Sequence, residues 1–290
     1  MARIDVNGLE LDYEFLGDEN APPLVLTPGG RYPRDTAGVP ELGQILADAG
    51  YHVLLWDRPG CGASDIAFTA PSESVMNSEA LVGLIHKLGL KDVTLVGGSA
   101  GSRISLMAAV RMPENIRKIA IWWLSGGAVG LATLAFFYCG DQIAAAAKGG
   151  MEAVVELPSW ADQISRNPRI RDILLAQDPD TYIEIMQKWG RAFNYSDETP
   201  MPGITAEDFA KLTMPILVFR SGKSDMAHTR RTSEWVHELL PNATLREPPW
   251  GDQEWNYVST FPIDNAARRG RFERWPLIAP PVLEFLKGDA

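Results

Sequence analysis

Residues 2–16 alternate apolar and polar side chains around Asn7-Gly8, with Ile4 and Val6 before the pair and Leu9, Leu11, Tyr13 and Phe15 after it. Alternation gives a strand one apolar face, and Asn-Gly accepts the positive φ angles of a type I′ turn, so the pattern predicts an antiparallel hairpin. The pattern then changes. Leu24 to Leu26, Val53 to Trp56, Val93 to Val96, Ile119 to Leu124 and Ile216 to Phe219 are unbroken apolar runs, as expected of parallel strands covered on both faces. Helices are predicted between them over Glu41 to Ala49, Ser72 to Leu88, Ala100 to Met112 and Arg231 to Leu240. Such alternation implies right-handed crossovers and a doubly covered sheet.

From residue 128 to 205 the alternation stops and only helical signals remain. Asn167-Pro168 and Asp178-Pro179 each place a capping side chain before a proline, and Thr205 with Asp208 has the spacing of a capping box. The division that follows is a core of residues 1–127 and 206–290 with a helical cap of 128–205 inserted in it. The stretch from Pro248 to Arg274, rich in Trp, Pro, Gly and Arg, fits no periodic template and reads as a long loop near a site.

The chain has 290 residues, is 46% hydrophobic and 22% charged, and carries a net charge of −10, which suits a large globular core. With no basic run to offset that charge, nucleic acid and membrane partners are not expected, and a small-molecule substrate is. A homodimer is left open. Cys61 and Cys139 are far apart and match neither a disulfide framework nor a zinc motif, and no signal-like stretch opens the chain, so a cytoplasmic protein is expected. The most apolar run, Ile119 to Phe137, is interrupted by Ser125-Gly126-Gly127 and Gly130.

Gly97-Gly98-Ser99-Ala100-Gly101 sits between a buried strand and a helix. In that context a G-x-S-x-G pattern is a nucleophile elbow, a turn so tight that the serine's neighbours must be small and its own backbone is strained. A phosphate-binding turn is the competing reading, but no G-x-G-x-x-G spacing or P-loop lysine accompanies it.

With this motif in place, the chain resembles the α/β-hydrolase fold superfamily over nearly its whole length. Thr27-Pro28-Gly29-Gly30 falls where that family usually has His-Gly, and Trp56 to Asp65 is similar to its Asp-x-Arg-Gly-x-Gly-x-Ser loop. The resemblance implies an α/β fold with a mostly parallel sheet, an N-terminal antiparallel hairpin and an inserted helical cap. It also implies Ser99 as nucleophile, the backbone N–H groups of Gly30 and Ala100 as an oxyanion hole, and Asp225 as the acid after the next core strand, with no cofactor. The Asp57 loop is structural in that comparison.

One landmark departs from the family. Its histidine is expected in a Gly-His pair one strand further on, where this chain has Gly251-Asp252, and no histidine follows His237. His52, His86 and His237 fall on elements away from the carboxyl edge of the sheet. Two substitutes stand at that edge. His228 follows Asp225 by three residues, and Asp252 occupies the vacated position, where burial among Trp250, Trp255 and Pro249 would raise its pKa and make it a base. Chain order favours Asp252. Asp225, His228, Asp252 and Glu254 match no metal-ligand spacing, so no metal is expected.

Nine tryptophans is a high number for this length, and Trp122, Trp123, Trp160, Trp189, Trp250 and Trp255 suggest a broad apolar pocket for an aromatic substrate. Arg31, next to the oxyanion loop, and Arg103, one helical turn after Ser99, are candidates to hold a carboxylate or enolate. The expected activity is hydrolysis of an ester, a lactone or a carbon–carbon bond adjacent to a carbonyl. The alternative is a lyase, isomerase or decarboxylase-like reaction without an acyl-enzyme, and the third reading is a non-catalytic ligand-binding protein.

Overall fold

The computed structural model describes residues 2–223, 225–252, 270 and 272–288. Its centre is an eight-stranded sheet of order β1-β2-β4-β3-β5-β6-β7-β8, formed by β1 (Ala2–Val6), β2 (Leu9–Leu16), β3 (Pro23–Thr27), β4 (His52–Trp56), β5 (Val93–Gly98), β6 (Ile116–Trp122), β7 (Ile216–Phe219) and β8 (Ala243–Arg246). β1 and β2 are the antiparallel hairpin, with Asn7 at φ 54° and Gly8 at φ 82° as the type I′ turn requires. β2 pairs antiparallel with β4, and every later pairing is parallel. The unbroken apolar runs are the central strands, and Leu24, Val25, Leu26, Val53, Leu54 and Leu55 have no solvent exposure.

Helices α1 (Val39–Asp48), α2 (Glu73–Lys87) and α3 (Ala100–Arg111) cross between these strands. The side chains of α2 and α3 pack with Val25, Leu95 and Ile121 on one face, and those of α1 pack with Leu24, Val96 and Trp122 on the other. β8 was not legible as an apolar run because Ala-Thr-Leu-Arg is short and lies half-buried at the edge of the sheet.

After β6 the chain leaves the sheet and forms α4 (Ala128–Ala135), α5 (Asp141–Val155), α6 (Pro158–Arg166), α7 (Arg169–Leu175) and α8 (Pro179–Arg191) before α9 (Ala206–Lys211) leads into β7. These helices bury an apolar cluster of their own, including Tyr138, Val154, Trp160, Ile170, Tyr182, Met186 and Trp189, joined by Ile66, Phe68 and Met76 from the core loops. By length and hydropathy the stretch Ala128–Arg166 is apolar enough to cross a membrane. Here it is divided by non-helical angles at Gly149 and Gly150 and by a new start at Pro158. Asp178 caps α8 through Thr181, and Thr205 with Asp208 forms the capping box of α9. At α7 the geometry differs from expectation: Pro168 is itself the N-cap, and Asn167 accepts the N–H of Arg169 through its side chain.

α10 (Arg230–Leu239) follows β7, and α11 (Ala279–Lys287) closes the chain against α1. Ser99 therefore stands at the tip of β5, and the loop 220–229 at the tip of β7. With β6 between them, and strands about 4.8 Å apart, a side chain from the β7 loop must reach over the end of β6 to meet the serine. The end of β6 makes room for this by turning sharply: Trp123 has φ 53°, a left-handed angle rare for a bulky residue.

Candidate active site

Ser99 has φ 58° and ψ −120°, and its N–H donates to Trp122 O at 3.0 Å. This strained turn lifts the hydroxyl out of the sheet, and its neighbours have no room for side chains. A Cβ on Gly98 would lie 2.3 Å from the Trp122 indole nitrogen, and one on Gly101 would lie 2.1 Å from Thr27 O. Ser102 ties the turn together by donating to both Gly97 O and Trp122 O. The G-x-S-x-G pattern is therefore read as steric necessity at each glycine, and the outlier at Ser99 is where strain and exposure of the hydroxyl coincide.

Ser99 Oγ lies 2.8 Å from His228 Nε2, and His228 Nδ1 lies 2.9 Å from Asp225 Oδ2. A carboxylate only accepts, so the imidazole proton sits on Nδ1 and leaves Nε2 to accept from the serine. Asp225 is fixed in turn: its Oδ1 accepts the N–H groups of Ala227 at 3.0 Å and His228 at 2.8 Å. Asp225 and His228 are 6% and 3% exposed, dry enough for these bonds to be strong. Trp123 covers the imidazole, with ring centroids 6.0 Å apart and planes 23° from parallel.

Asp252 stands elsewhere. Its carboxylate pairs with Arg230 and lies 3.6 Å from Lys223 Nζ, with its side chain 37% exposed. Its backbone packs beside Gly222, where a Cβ would meet Asp252 O at 2.6 Å. The position that chain order favoured for the base is thus next to the β7 loop, but its charge is spent on two cations there and its environment is not the apolar one expected. The imidazole that lies against Ser99 is that of His228, on the same loop as Asp225. Glu254 and Trp255 lie outside the described residues, and among the described residues no group of acidic, histidine or cysteine side chains could hold a metal ion.

On the other side of Ser99 runs the loop after β3. Gly29 faces the serine so closely that a Cβ there would lie 3.0 Å from Ser99 Cβ, and Gly30 has φ 49°. The N–H groups of Gly30 and Ala100 make no hydrogen bond among the described residues. Buried Arg58 holds this loop from beneath, donating to Gly29 O at 3.1 Å and also to Gly30 O. The family-like loop around Asp57 thereby supports the site through its arginine, a link that spacing alone could not reveal. Asp57 accepts the N–H groups of Arg34 and Ala63, and burial pushes its carboxyl up to about 6.

The two candidate arginines differ. Arg31 forms a bidentate pair with Glu73 at 2.9 and 3.2 Å and lies over the rings of Tyr138 and Trp160. Burial opposes its charge, but Glu73 more than offsets this and raises its pKa. Arg103, which a surface helix reading would leave solvated, is 4% exposed, and burial lowers its pKa. Of the tryptophans, Trp123 and Trp250 adjoin the imidazole side of the site, with ring centroids 5.6 Å apart. Trp122 packs on Trp275 beneath the elbow, and Trp160 and Trp189 fill the core of the helical segment, so these three are not pocket walls as expected. An open cleft of about 490 Å³ lies between residues 31–37 of the loop after β3 and α6.

A strained serine at a strand-to-helix turn on this sheet order is the signature of one architecture. The family model of the α/β-hydrolase fold matches residues 22–121. The chain has the α/β-hydrolase fold. It is 32% identical over 126 residues to the 2-hydroxy-6-oxononadienedioate/2-hydroxy-6-oxononatrienedioate hydrolase of Burkholderia vietnamiensis, covering 43% of each chain. It is 36% identical over 76 residues to the 2-hydroxy-6-oxo-6-phenylhexa-2,4-dienoate hydrolase of Comamonas testosteroni, covering 26% of this chain and 27% of that one. These matches span less than half the length of the relatives. Over 99% of the chain, the fold is similar to the enol-lactonase of Burkholderia xenovorans, with a TM-score of 0.61, 21% identity and all of that chain covered.

Proposed function

We propose that the protein is a serine hydrolase that cleaves an ester, a lactone or a carbon–carbon bond adjacent to a carbonyl. The observation that carries this reading is the unbroken hydrogen-bonded line from Ser99 through His228 to Asp225. A serine hydroxyl is a weak nucleophile until a base takes its proton, and Nε2 is within reach to do so. Ser99 Oγ attacks the carbonyl carbon while its proton passes to His228, and Asp225 stabilises the imidazolium and keeps its orientation. The oxygen that becomes negative is met by the N–H groups of Gly30 and Ala100, which have no other partner among the described residues to give up. His228 then returns the proton to the departing oxygen or carbon, and water releases the acyl group by the same steps.

In this reading residues 128–205 form a cap that supplies the wall opposite the elbow. The relatives named as hydrolases of 2-hydroxy-6-oxo dienoates support the choice of bond, since those names describe compounds that carry an oxo group. A cytoplasmic enzyme acting on a small molecule fits this reading. The test is covalent labelling with a fluorophosphonate and location of the adduct by mass spectrometry. Labelling at Ser99 that disappears in His228→Ala supports the proposal. Turnover of an aryl ester with no adduct at Ser99 would overturn it in favour of chemistry without an acyl-enzyme.

A further inference from the structure

Arg103 points its guanidinium into the seam between the core and the helical segment. Its Nε donates to Ser74 at 3.0 Å, and its Cζ lies 5.0 Å from the centre of the Phe193 ring. Its Nη1 is buried and has no hydrogen-bond partner among the described residues. A buried guanidinium N–H without an acceptor is costly, and a bound group or water that accepts from it would relieve that cost.

Tyr138 connects this group to the reacting centre. It stacks on Phe193 with ring centroids 5.6 Å apart, and its hydroxyl lies 3.8 Å from where a Cβ on Gly30 would be. That hydroxyl makes no hydrogen bond to another described residue, while burial pushes its pKa up to about 12, so it remains a donor at neutral pH. Tyr138 sits in a π-helical turn, Phe136–Gly140, a distortion often found where a side chain is aimed at a site.

The surrounding charge is unbalanced. Arg31, Arg58 and Arg103 are buried or nearly so, and Glu73 is the carboxylate that acts on both Arg31 and Arg103. Glu73 is engaged by Arg31 through both oxygens, and Arg58 is occupied with the carbonyls of Gly29 and Gly30. Among the described residues Arg103 forms no ion pair, and unlike Arg58 it has no carbonyl oxygen to accept from it.

We propose that Arg103 Nη1 and the Tyr138 hydroxyl form a carboxylate subsite, so that the preferred substrate is an acid whose carboxylate lies a few bonds from the carbonyl that Ser99 attacks. This inference rests on the hydrolase reading and extends it to a substrate class. A planar guanidinium suits a carboxylate, and the unused N–H would gain a charge-assisted bond only when such a substrate is seated.

The test compares two aryl esters of nearly equal shape, monophenyl glutarate and phenyl pentanoate, which differ in the terminal carboxylate. The ratio of their kcat/KM values should favour the acid in the wild-type protein and fall about 30- to 100-fold in Arg103→Met, with partial recovery in Arg103→Lys. Tyr138→Phe should lower the same ratio about tenfold, and it serves if Arg103→Met does not fold. Calorimetric binding of monophenyl glutarate to Ser99→Ala should weaken at least about 30-fold when Arg103→Met is added. An unchanged ratio in folded Arg103→Met or Tyr138→Phe, or equal binding of both esters by Ser99→Ala, overturns the subsite. Failure of the hydrolase reading would appear instead as turnover persisting in Ser99→Ala, which leaves the binding comparison intact.

Discussion

Asp225 and His228 stand three residues apart on one loop, and His228 Nδ1 donates to Asp225 Oδ2 at 2.9 Å. Because Asp225 Oδ1 also accepts the N–H groups of Ala227 and His228, one carboxylate shapes the loop and orients the imidazole at once. The usual family arrangement divides these tasks between loops after two different strands. Here both side chains stand at the tip of β7.

His228→Ala and Ser99→Ala should each reduce turnover of an aryl ester by about 10⁴-fold or more, and the double variant should be little worse than either, since the two act as a unit. Asp252→Asn should stay within about threefold of the wild type, because its carboxylate serves Arg230 and Lys223 at a half-exposed position. Steady-state kinetics on the three variants checks this. A severe loss in Asp252→Asn with a mild one in His228→Ala would reverse the assignment.

Asp225→Asn should cost about 10²- to 10⁴-fold in kcat. An amide can turn its oxygen to the loop N–H groups or to the imidazole, but not to both, so either the loop loosens or the wrong tautomer is favoured. Proton NMR of the imidazole N–H, present in the wild type and lost or shifted in the variant, separates this effect from global unfolding.

Much of this arrangement was legible in the sequence. The apolar runs located the central strands, because burial on both faces leaves no polar positions, and the Gly97-to-Gly101 spacing located the elbow, because only small residues fit there. Order along the chain was a poor guide to which group lies against Ser99. It matches Asp252 to a landmark but cannot tell that Arg230 would claim its carboxylate, whereas His228 reaches Ser99 over the end of β6, where Trp123 turns at φ 53°. The support from Arg58 and Glu73 was equally hidden, since each acts on residues more than 25 positions away.

Gly101→Ala should destabilise the protein by about 1–3 kcal/mol, because the added methyl would meet the carbonyl oxygens of Thr27 and Pro28 at 2.1 and 2.8 Å, and these backbone atoms cannot swing aside like a side chain. Urea denaturation should show a lower midpoint with an unchanged slope. Moving the end of β3 also moves the loop carrying Gly30, so kcat should fall in the fraction that remains folded.

Arg58→Met should lower kcat about 10- to 100-fold with a smaller change in KM. Arg58 touches the carbonyl side of the loop after β3, and in the proposed mechanism the peptide planes that aim the Gly30 N–H would be free to rotate without it. The rate of fluorophosphonate labelling at Ser99 should fall in parallel, since formation of that adduct also places negative charge on an oxygen. Normal labelling with slow turnover would locate the defect in product release instead.

Asp57 supplies a pH dependence whose sign can be stated in advance. Burial raises its carboxyl from the ordinary 3.8 to about 6, even though it accepts N–H bonds from Arg34 at 2.7 Å and Ala63 at 3.0 Å. An acid whose folded pKa is raised favours folding while protonated in both states, below about pH 4. That contribution fades as the pH rises from about 4 to 6, because the unfolded chain ionises first. At about 1.4 kcal/mol per pH unit, ionisation of Asp57 removes about 3 kcal/mol of stability across that interval. Asp57→Asn cannot ionise, so its stability curve should lack this fall, although one loop N–H would then face an amide NH₂ and lower its stability at every pH. Denaturation of both proteins at pH 4, 5, 6 and 7 gives the difference directly. The wild type should lose stability relative to Asp57→Asn up to about pH 6 and run parallel to it above. Parallel curves throughout would mean that the two N–H bonds, rather than burial, set the ionisation of Asp57.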